Sequence, residues 1–160
     1  SLSLFDYISK VIESLNAQIS KRKAKITYGD VKQIKALRVN AVPAYLESIL
    51  YNIMSNSIKY TPVTKDPVIE IHAHLSSPYV ELHISDEGQG IDIANYGDRL
   101  FKMYSPIGRN EGKGLGLFIT KNQIEAMGGT IEVRSELNKG TTIKLRLIEE
   151  GSELSKNLGK

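Results

Sequence analysis

Hydrophobic residues in segment 46–62 recur with the period of an α-helix, and polar residues form a separate stripe beside them. At about 100° per residue, one broad arc of this helix is apolar. The arc consists of Leu46, Ile49, Leu50, Ile53, Met54 and Ile58. Asn52, Asn56 and Lys59 fall together beside it, and Tyr60 follows at the helix end. Because Asn is at best a middling helix former, this stripe is either a polar boundary or a functional face that offers amide oxygens to Mg²⁺ and an ammonium to phosphate.

The remaining pattern predicts further helices and six short strands. The helices are 3–18, 92–96 and 115–127, and the strands are 25–28, 34–39, 68–75, 79–85, 130–135 and 141–148. Ser3 is expected to cap the first helix, Asn40 to cap the central helix, and Pro43 to lie in the first turn of the central helix. This order favours an α+β fold, a two-layer sandwich with a mixed, mainly antiparallel sheet and helices on one face.

Two stretches lack a regular period. Residues 97–113 contain Gly, Pro and charged residues and are predicted to form a functional or mobile loop. Residues 149–160 are polar and predicted to be a disordered tail, which leaves one domain over 1–148.

Composition excludes several classes of protein. With 160 residues, of which 41% are hydrophobic, the chain can form one well-packed domain. The absence of Cys excludes disulfides and thiolate chemistry and favours a reducing, cytoplasmic compartment. The net charge is only +3, and no aromatic residues interleave with the basic run 21–25, so we expect a solvated loop there rather than nucleic-acid binding. No apolar run is long enough to span a membrane, and we expect no membrane contact by this segment.

Two glycine motifs are candidate ligand sites. Asp86, Gly88 and Gly90 follow a predicted strand, where the glycines allow either an ordinary turn or close approach of a flat ligand, and Asp86 could accept a hydrogen bond from an amine. Segment 112–117, GKGLGL, opens a predicted helix whose N–H groups could bind an anion. It is not a Walker A loop, because Lys113 is followed by Gly rather than Ser or Thr.

The three histidines lie on predicted strands. His72 and His74 share a strand face, and no carboxylate partner for them or for His83 is evident from the sequence. A solvated face of the sheet is therefore favoured over a metal site.

In their order along the chain, these segments resemble the ATP-binding catalytic domain of sensor histidine kinases, a branch of the GHKL superfamily. Segment NIMSNSIKYTP looks like the N box, DEGQGI the first Gly box, LFKMY the F box, GKGLGL the second Gly box and KGTTIKL a third Gly motif. The resemblance runs from about residue 4 to residue 148. It implies the GHKL (Bergerat) fold, a two-layer α/β sandwich with a five-stranded sheet and three main helices on one face.

The resemblance also implies a site for ATP and Mg²⁺. Asp86 would take the adenine amino group, with Thr141 assisting through water. Asn56 would bind Mg²⁺ with Asn52 beside it, and Lys59 and Tyr60 would lie against the phosphates. Asn52, Asn56 and Lys59 would form the catalytic group. The other implied nucleotide contacts are Gly88, Gly90, Ile91, Phe101, Gly112, Lys113, Gly114, Leu115, Gly116 and Leu117.

Part of this implied site belongs to a mobile lid over about 92–111, which Phe101 would anchor. The chain departs from the family pattern there, because Tyr104 and Pro106 stand where many relatives have Phe and Arg. If the γ-phosphate needs a cation from the lid, Lys102 or Arg109 must supply it.

The reaction implied is transfer of the ATP γ-phosphoryl group to a histidine on a separate, dimeric helical hairpin that is absent from this segment. A response-regulator receiver domain would be the next partner, and the parent protein could be membrane-anchored. Hydrolytic relatives carry Glu at the position of Asn52, and an amide cannot accept a proton from water, so Asn52 favours transfer over hydrolysis. A serine kinase, a slow ATPase and a nucleotide-sensing module without chemistry are the alternatives.

Overall fold

The computed structural model describes residues 1–97, 100, 101 and 113–158. The strands are β1 (Leu2–Ser3), β2 (Lys25–Tyr28), β3 (Arg38–Asn40), β4 (Val68–Ser76), β5 (Tyr79–Asp86), β6 (Thr130–Glu136) and β7 (Gly140–Glu149). The helices are α1 (Leu4–Ser14), α2 (Asn16–Arg22), α3 (Val31–Lys35), α4 (Pro43–Lys59), α5 (Ile93–Tyr96), α6 (Lys113–Ala126) and α7 (Glu153–Leu158). In this part of the chain no helix is both long and apolar enough to cross a bilayer.

The strands form one mixed sheet in the order β1-β3-β7-β5-β4-β2, with β6 paired to β7. Only the β2–β4 pair is parallel among the described pairs. Alternate side chains of β4, β5 and β7 are buried, and they join the apolar faces of α1, α4 and α6 in one core. The predicted two-layer α+β fold is therefore confirmed. The described sheet has seven strands rather than five, because the short β1 and β3 extend one edge.

The predicted strand 34–39 is wrong in its first half. Residues Val31–Lys35 form α3, which is capped by Asp30 accepting from the Gln33 N–H at 3.1 Å, and only Arg38–Asn40 is extended. Ile34 projects from α3 into the core and is buried, so its apolar character is compatible with a helix as well as with a strand. A five-residue helix is too short to show a clear hydrophobic period.

Asn40 does not cap the central helix. It lies in β3, and its side-chain amide donates to Ser155 Oγ at 2.8 Å. Helix α4 instead begins at Pro43 without a side-chain cap, and Pro43 occupies the first turn as predicted.

The secondary structure near both ends of the chain differs from the prediction. The first predicted helix is capped by Ser3 as expected but is divided at Leu15 into α1 and α2. The tail predicted to be disordered contains α7, which the contact between Asn40 and Ser155 ties to the sheet. That contact joins residues 115 positions apart, so no local pattern could predict it.

Candidate functional site

Asp86 is the last residue of β5, and backbone groups from two other segments fix its carboxylate. Its Oδ1 accepts hydrogen bonds from the Gly88 N–H at 2.9 Å and from the Thr141 N–H at 3.2 Å. Thr141 is the direct cross-strand partner of Asp86 on β7, so the sheet itself positions the second donor. Both hydrogen bonds use the same oxygen, and within the described residues Oδ2 keeps its acceptor capacity for a ligand.

A hydroxyl network lies beside this carboxylate. Ser135 Oγ donates to the Gly140 carbonyl at 2.9 Å, accepts from the Ile91 N–H at 2.7 Å, and lies 2.8 Å from Thr141 Oγ1. Because the Ser135 hydroxyl donates its proton to the Gly140 carbonyl, the Thr141 hydroxyl must be the donor in its hydrogen bond with Ser135. Sequence reasoning missed Ser135, although the register of the β6–β7 hairpin places it opposite Thr141.

The glycines of this region make room chiefly for other parts of the chain. Gly90 has a φ of +72°, and a Cβ there would lie 2.1 Å from the Glu136 carbonyl oxygen. Gly140 has a φ of +122°, and a Cβ there would lie 2.1 Å from the Asp86 carbonyl oxygen. These contacts give structural reasons for glycine. The predicted contact of Gly90 with adenine stays a prediction.

Five of the predicted nucleotide-binding residues line one cleft. Asn56 from α4 faces Asp86 across it, together with Ile91, Leu117 and Thr141, and the remaining walls are Ile53, Ser57, Val133 and Ile143. The cleft has room for about one water molecule, roughly 10 Å³. An adenine ring is far larger, so a base could enter only if these apolar walls move apart.

A second depression, of about 380 Å³, lies on the other side of Asn56. It is lined by Gln18, Lys21, Arg22, Tyr51, Ser55, Asn56, Ile58 and Lys59, of which three are cationic. Lys59 is exposed, and its Nζ lies 5.4 Å from the centroid of the buried Tyr60 ring. Burial raises the pKa of the Tyr60 phenol, so its hydroxyl is protonated at neutral pH.

Arg22 is a structural residue that sequence reasoning missed. Its guanidinium donates to the Ile58 and Thr61 carbonyls, both at 2.9 Å, and also reaches the Pro62 and Lys65 carbonyls. It thereby satisfies carbonyls at the C-terminus of α4, the end that carries Lys59. The prediction of a solvated loop over 21–25 is wrong for this residue, which ends α2.

Asn52 lies apart from the cleft. It lines a groove of about 470 Å³ between α1 and α4, with Lys10, Val11 and Ser14 among the other lining residues. The structure therefore brings Asn56, but not Asn52, to Asp86.

The segment predicted to form a lid lies only partly within the described residues. Leu100 is buried and Phe101 packs against the core, with Lys121 Nζ 5.1 Å from its ring centroid. Lys113, Gly114, Leu115 and Gly116 lie at the start of α6. Gly112 and the lid positions 102, 104, 106 and 109 lie outside the described residues.

Comparisons with known proteins decide the family. Residues 41–151 match the family model described as histidine kinase-, DNA gyrase B- and HSP90-like ATPase. The chain belongs to this ATPase family. The resemblance read from the sequence is therefore confirmed.

Several curated relatives are sensor kinases. The chain is 34% identical over 116 residues to the autoinducer 2 sensor kinase/phosphatase LuxQ of Vibrio parahaemolyticus, covering 64% of this chain and 13% of that protein. It is 31% identical over 119 residues to the sensor histidine kinase RcsC of Salmonella typhimurium, covering 72% and 12%. The chain thus spans about an eighth of the length of these relatives.

Solved structures share the fold. The catalytic domain of histidine kinase ThkA superposes with a TM-score of 0.77 at 22% identity, covering 92% of this chain and 93% of that one. Full-length ShkA in complex with AMPPNP gives a TM-score of 0.76 at 21% identity, covering 94% of this chain and 31% of that one. The fold is therefore that of a histidine kinase catalytic domain.

Proposed function

We propose that this domain binds ATP with Mg²⁺ across α4 and transfers the γ-phosphoryl group to a histidine on a separate helical hairpin. The observation that carries the proposal is the position of Asn56, which lines both the cleft with Asp86 and the depression with three cationic side chains. A nucleotide with its base at Asp86 and its phosphates beyond Asn56 meets a carboxylate at one end and positive charge at the other. This matches the distribution of donors and charge in ATP.

Asp86 is the residue that recognises the base. The two backbone hydrogen bonds to Oδ1 hold the carboxylate in place, and Oδ2 accepts from the exocyclic amine of adenine. Thr141, held by Ser135, orients a bridging water. Binding widens the narrow cleft by displacing Ile91 and Leu117, which line it.

The phosphate end fits a hard cation. The side-chain oxygen of Asn56 is a hard donor at the junction of the cleft and the basic depression, and Mg²⁺ prefers such oxygen ligands together with phosphate oxygens. When bound, Mg²⁺ would neutralise negative charge on the transferring phosphate. Lys59 adds a mobile positive charge, and the neutral Tyr60 adds a phenol beside it.

Transfer to histidine fits the residues of α4 better than hydrolysis does. A neutral imidazole is already a nucleophile, so the domain needs to place the phosphate rather than supply a base. Asn52 cannot serve as a base for water, and its place in the groove between α1 and α4 keeps it away from the purine cleft. The phosphohistidine would then be the phosphoryl donor for a response-regulator receiver domain.

The direct test mixes this domain with a histidine-bearing dimerisation hairpin of its parent kinase and γ-labelled ATP. We expect label on the hairpin in an acid-labile, base-stable form, as for a phosphoramidate. Acid-stable label would identify a serine kinase, and release of inorganic phosphate without labelled protein would identify an ATPase. Tight ATP binding without either product would identify a nucleotide-sensing module. Each of these three outcomes contradicts the proposal.

A further inference from the structure

The sheet face opposite the core carries a cluster that the nucleotide site does not use. Strands β4 and β5 pair His72 with His83 and His74 with Glu81 directly across the ladder. The expectation that these histidines lack a carboxylate partner is wrong. Glu81 faces His74 across the ladder and lies two residues from His83 on the same face of β5, and Glu70 pairs with His72 in the same way on β4. We name His74, Glu81 and His83 the histidine cluster.

The donor atoms of the histidine cluster converge on one point. The Nε2 atoms of His74 and His83 lie 3.0 and 3.9 Å from Glu81 Oε2, and one donor atom from each of the three residues lies within 4.8 Å of the others. Ligands at about 2.0–2.2 Å from Zn²⁺ lie roughly 3.3–3.6 Å apart in a tetrahedral site. Small rotations of the side chains would therefore give each of the three a metal bond.

The carboxylate of Glu81 is fixed in the orientation that such a site needs. Glu81 is only 8% exposed, and its Oε1 is held by Arg146 Nε at 3.0 Å and Lys144 Nζ at 3.5 Å. The other oxygen, Oε2, is the one that faces the two imidazoles. Outer-shell hydrogen bonds of this kind orient carboxylate ligands in known metal sites.

We propose that His74, Glu81 and His83 bind one divalent transition-metal ion of the Zn²⁺ and Cu²⁺ class. Two imidazole nitrogens and one carboxylate oxygen form a donor set that binds these ions more strongly than it binds Mg²⁺. The fourth coordination position stays open to water. Binding requires that Nε2 of each imidazole carry no proton, so the affinity should fall at acid pH. Lys144 and Arg146 repel the ion, while Glu132, 3.3 Å from Lys144, offsets part of that charge.

His72 provides a matched control on the same strand face. A Cβ on Gly29 would lie 2.1 Å from His72 Nδ1, so the ring packs directly on that backbone, and its Nε2 pairs with Glu70. Both ring nitrogens are therefore directed away from the histidine cluster, even though His72 is opposite His83 in the ladder.

The test is a calorimetric titration of the nucleotide-free chain with ZnCl₂, paired with Co²⁺ binding followed by visible absorption. We expect one ion per chain, intense tetrahedral Co²⁺ bands, and at least a tenfold weaker affinity in His74→Gln and in His83→Gln, with His72→Gln unchanged. Circular dichroism checks that the variants fold; both replaced side chains are partly exposed, and if one variant does not fold, the other decides.

Three results would overturn the assignment: no stoichiometric binding, equal weakening by His72→Gln, or binding unaffected in the cluster variants. The titration contains no nucleotide, so its failure and failure of the proposed kinase function are distinguishable.

Discussion

The Asp86 end of the candidate site is positioned by the backbone, whereas the α4 end depends on long side chains. At the first end, two backbone N–H groups and the β5–β7 ladder fix one carboxylate. At the second end, Lys59 is exposed, and the last turn of α4 is tied to α2 by the Arg22 guanidinium.

We propose that this difference separates recognition from chemistry. A carboxylate held by the sheet loses little conformational freedom when it binds a base, which favours selectivity. Exposed side chains around Asn56 can follow the phosphates as they move toward an acceptor on another segment. Substitutions at the two ends should therefore change different measured quantities.

The largest expected effect is that of Asn56→Ala on phosphoryl transfer. Removing the amide oxygen at the junction of the two depressions should lower the transfer rate roughly a thousandfold, equivalent to about 4 kcal/mol, while adenosine affinity changes little. Ser55→Ala is the control, because Ser55 lines only the basic depression and its hydroxyl bonds the Asn52 carbonyl of its own helix. Transfer that persists in Asn56→Ala at ordinary Mg²⁺ concentrations would show that the metal role is wrong.

The next largest effect concerns the stability of the backbone around Asp86. Gly140→Ala places a methyl group against the Asp86 carbonyl at a positive φ, and should lower the free energy of unfolding by about 3 kcal/mol or more. Gly151→Ala is the control. Gly151 also has a positive φ, +79°, but a Cβ there would meet open space, so the substitution should lower the free energy of unfolding by about 1 kcal/mol. Urea denaturation measures both, and equal losses would mean that the contact with Asp86 is unimportant.

Asp86→Asn should weaken ATP binding by about 1.5–3 kcal/mol, the scale of a hydrogen bond to a charged group. Discrimination against GTP should fall as well, because the ring oxygen of guanine no longer faces a carboxylate. Titration calorimetry with both nucleotides measures this, and Glu87→Gln removes a neighbouring exposed carboxylate as control. Unchanged affinities and selectivity in Asp86→Asn would refute the adenine assignment.

The smallest effect concerns Arg22. Arg22→Ala leaves carbonyls at the end of α4 without their donor and should cost about 1–2 kcal/mol of stability. It should also weaken ATP binding more than adenosine binding, because it disturbs only the phosphate end. Lys21→Ala removes a neighbouring charge that makes none of these contacts in the described structure. Equal changes in stability and in ATP binding for the two variants would show that Arg22 contributes only its charge and that its hydrogen bonds to α4 are unimportant.

The local pattern of hydrophobic residues was sufficient to predict the elements that are long enough to show a period. The apolar arc of α4 and the alternation of β4 and β5 follow from spacing along the chain, and the structure has them. The cleft that joins Asn56 to Asp86 was expected only through the family resemblance, because 30 residues separate them.

What the sequence missed depends on contacts between distant segments. Arg22 reaches carbonyls at least 36 positions away, and Ser135 meets Ile91 across 44 positions. Short elements failed for a different reason, since α3 and α7 have too few turns to show a period. Asn40 has the chemistry of a cap, but the register of β3 assigns it to Ser155 instead.

The most direct test of a single nucleotide spanning both ends is an NMR titration of the domain with adenosine, and then with a non-hydrolysable ATP analogue and Mg²⁺. Adenosine should shift the backbone amide signals of Gly88 and Thr141, and the analogue with Mg²⁺ should shift the side-chain amide of Asn56 further than adenosine does. The side-chain amide of Asn40 should stay unchanged in both, because it is bonded to Ser155. Shifts that leave Gly88, Thr141 and Asn56 unaffected, or that move Asn56 without the other two, would contradict the account.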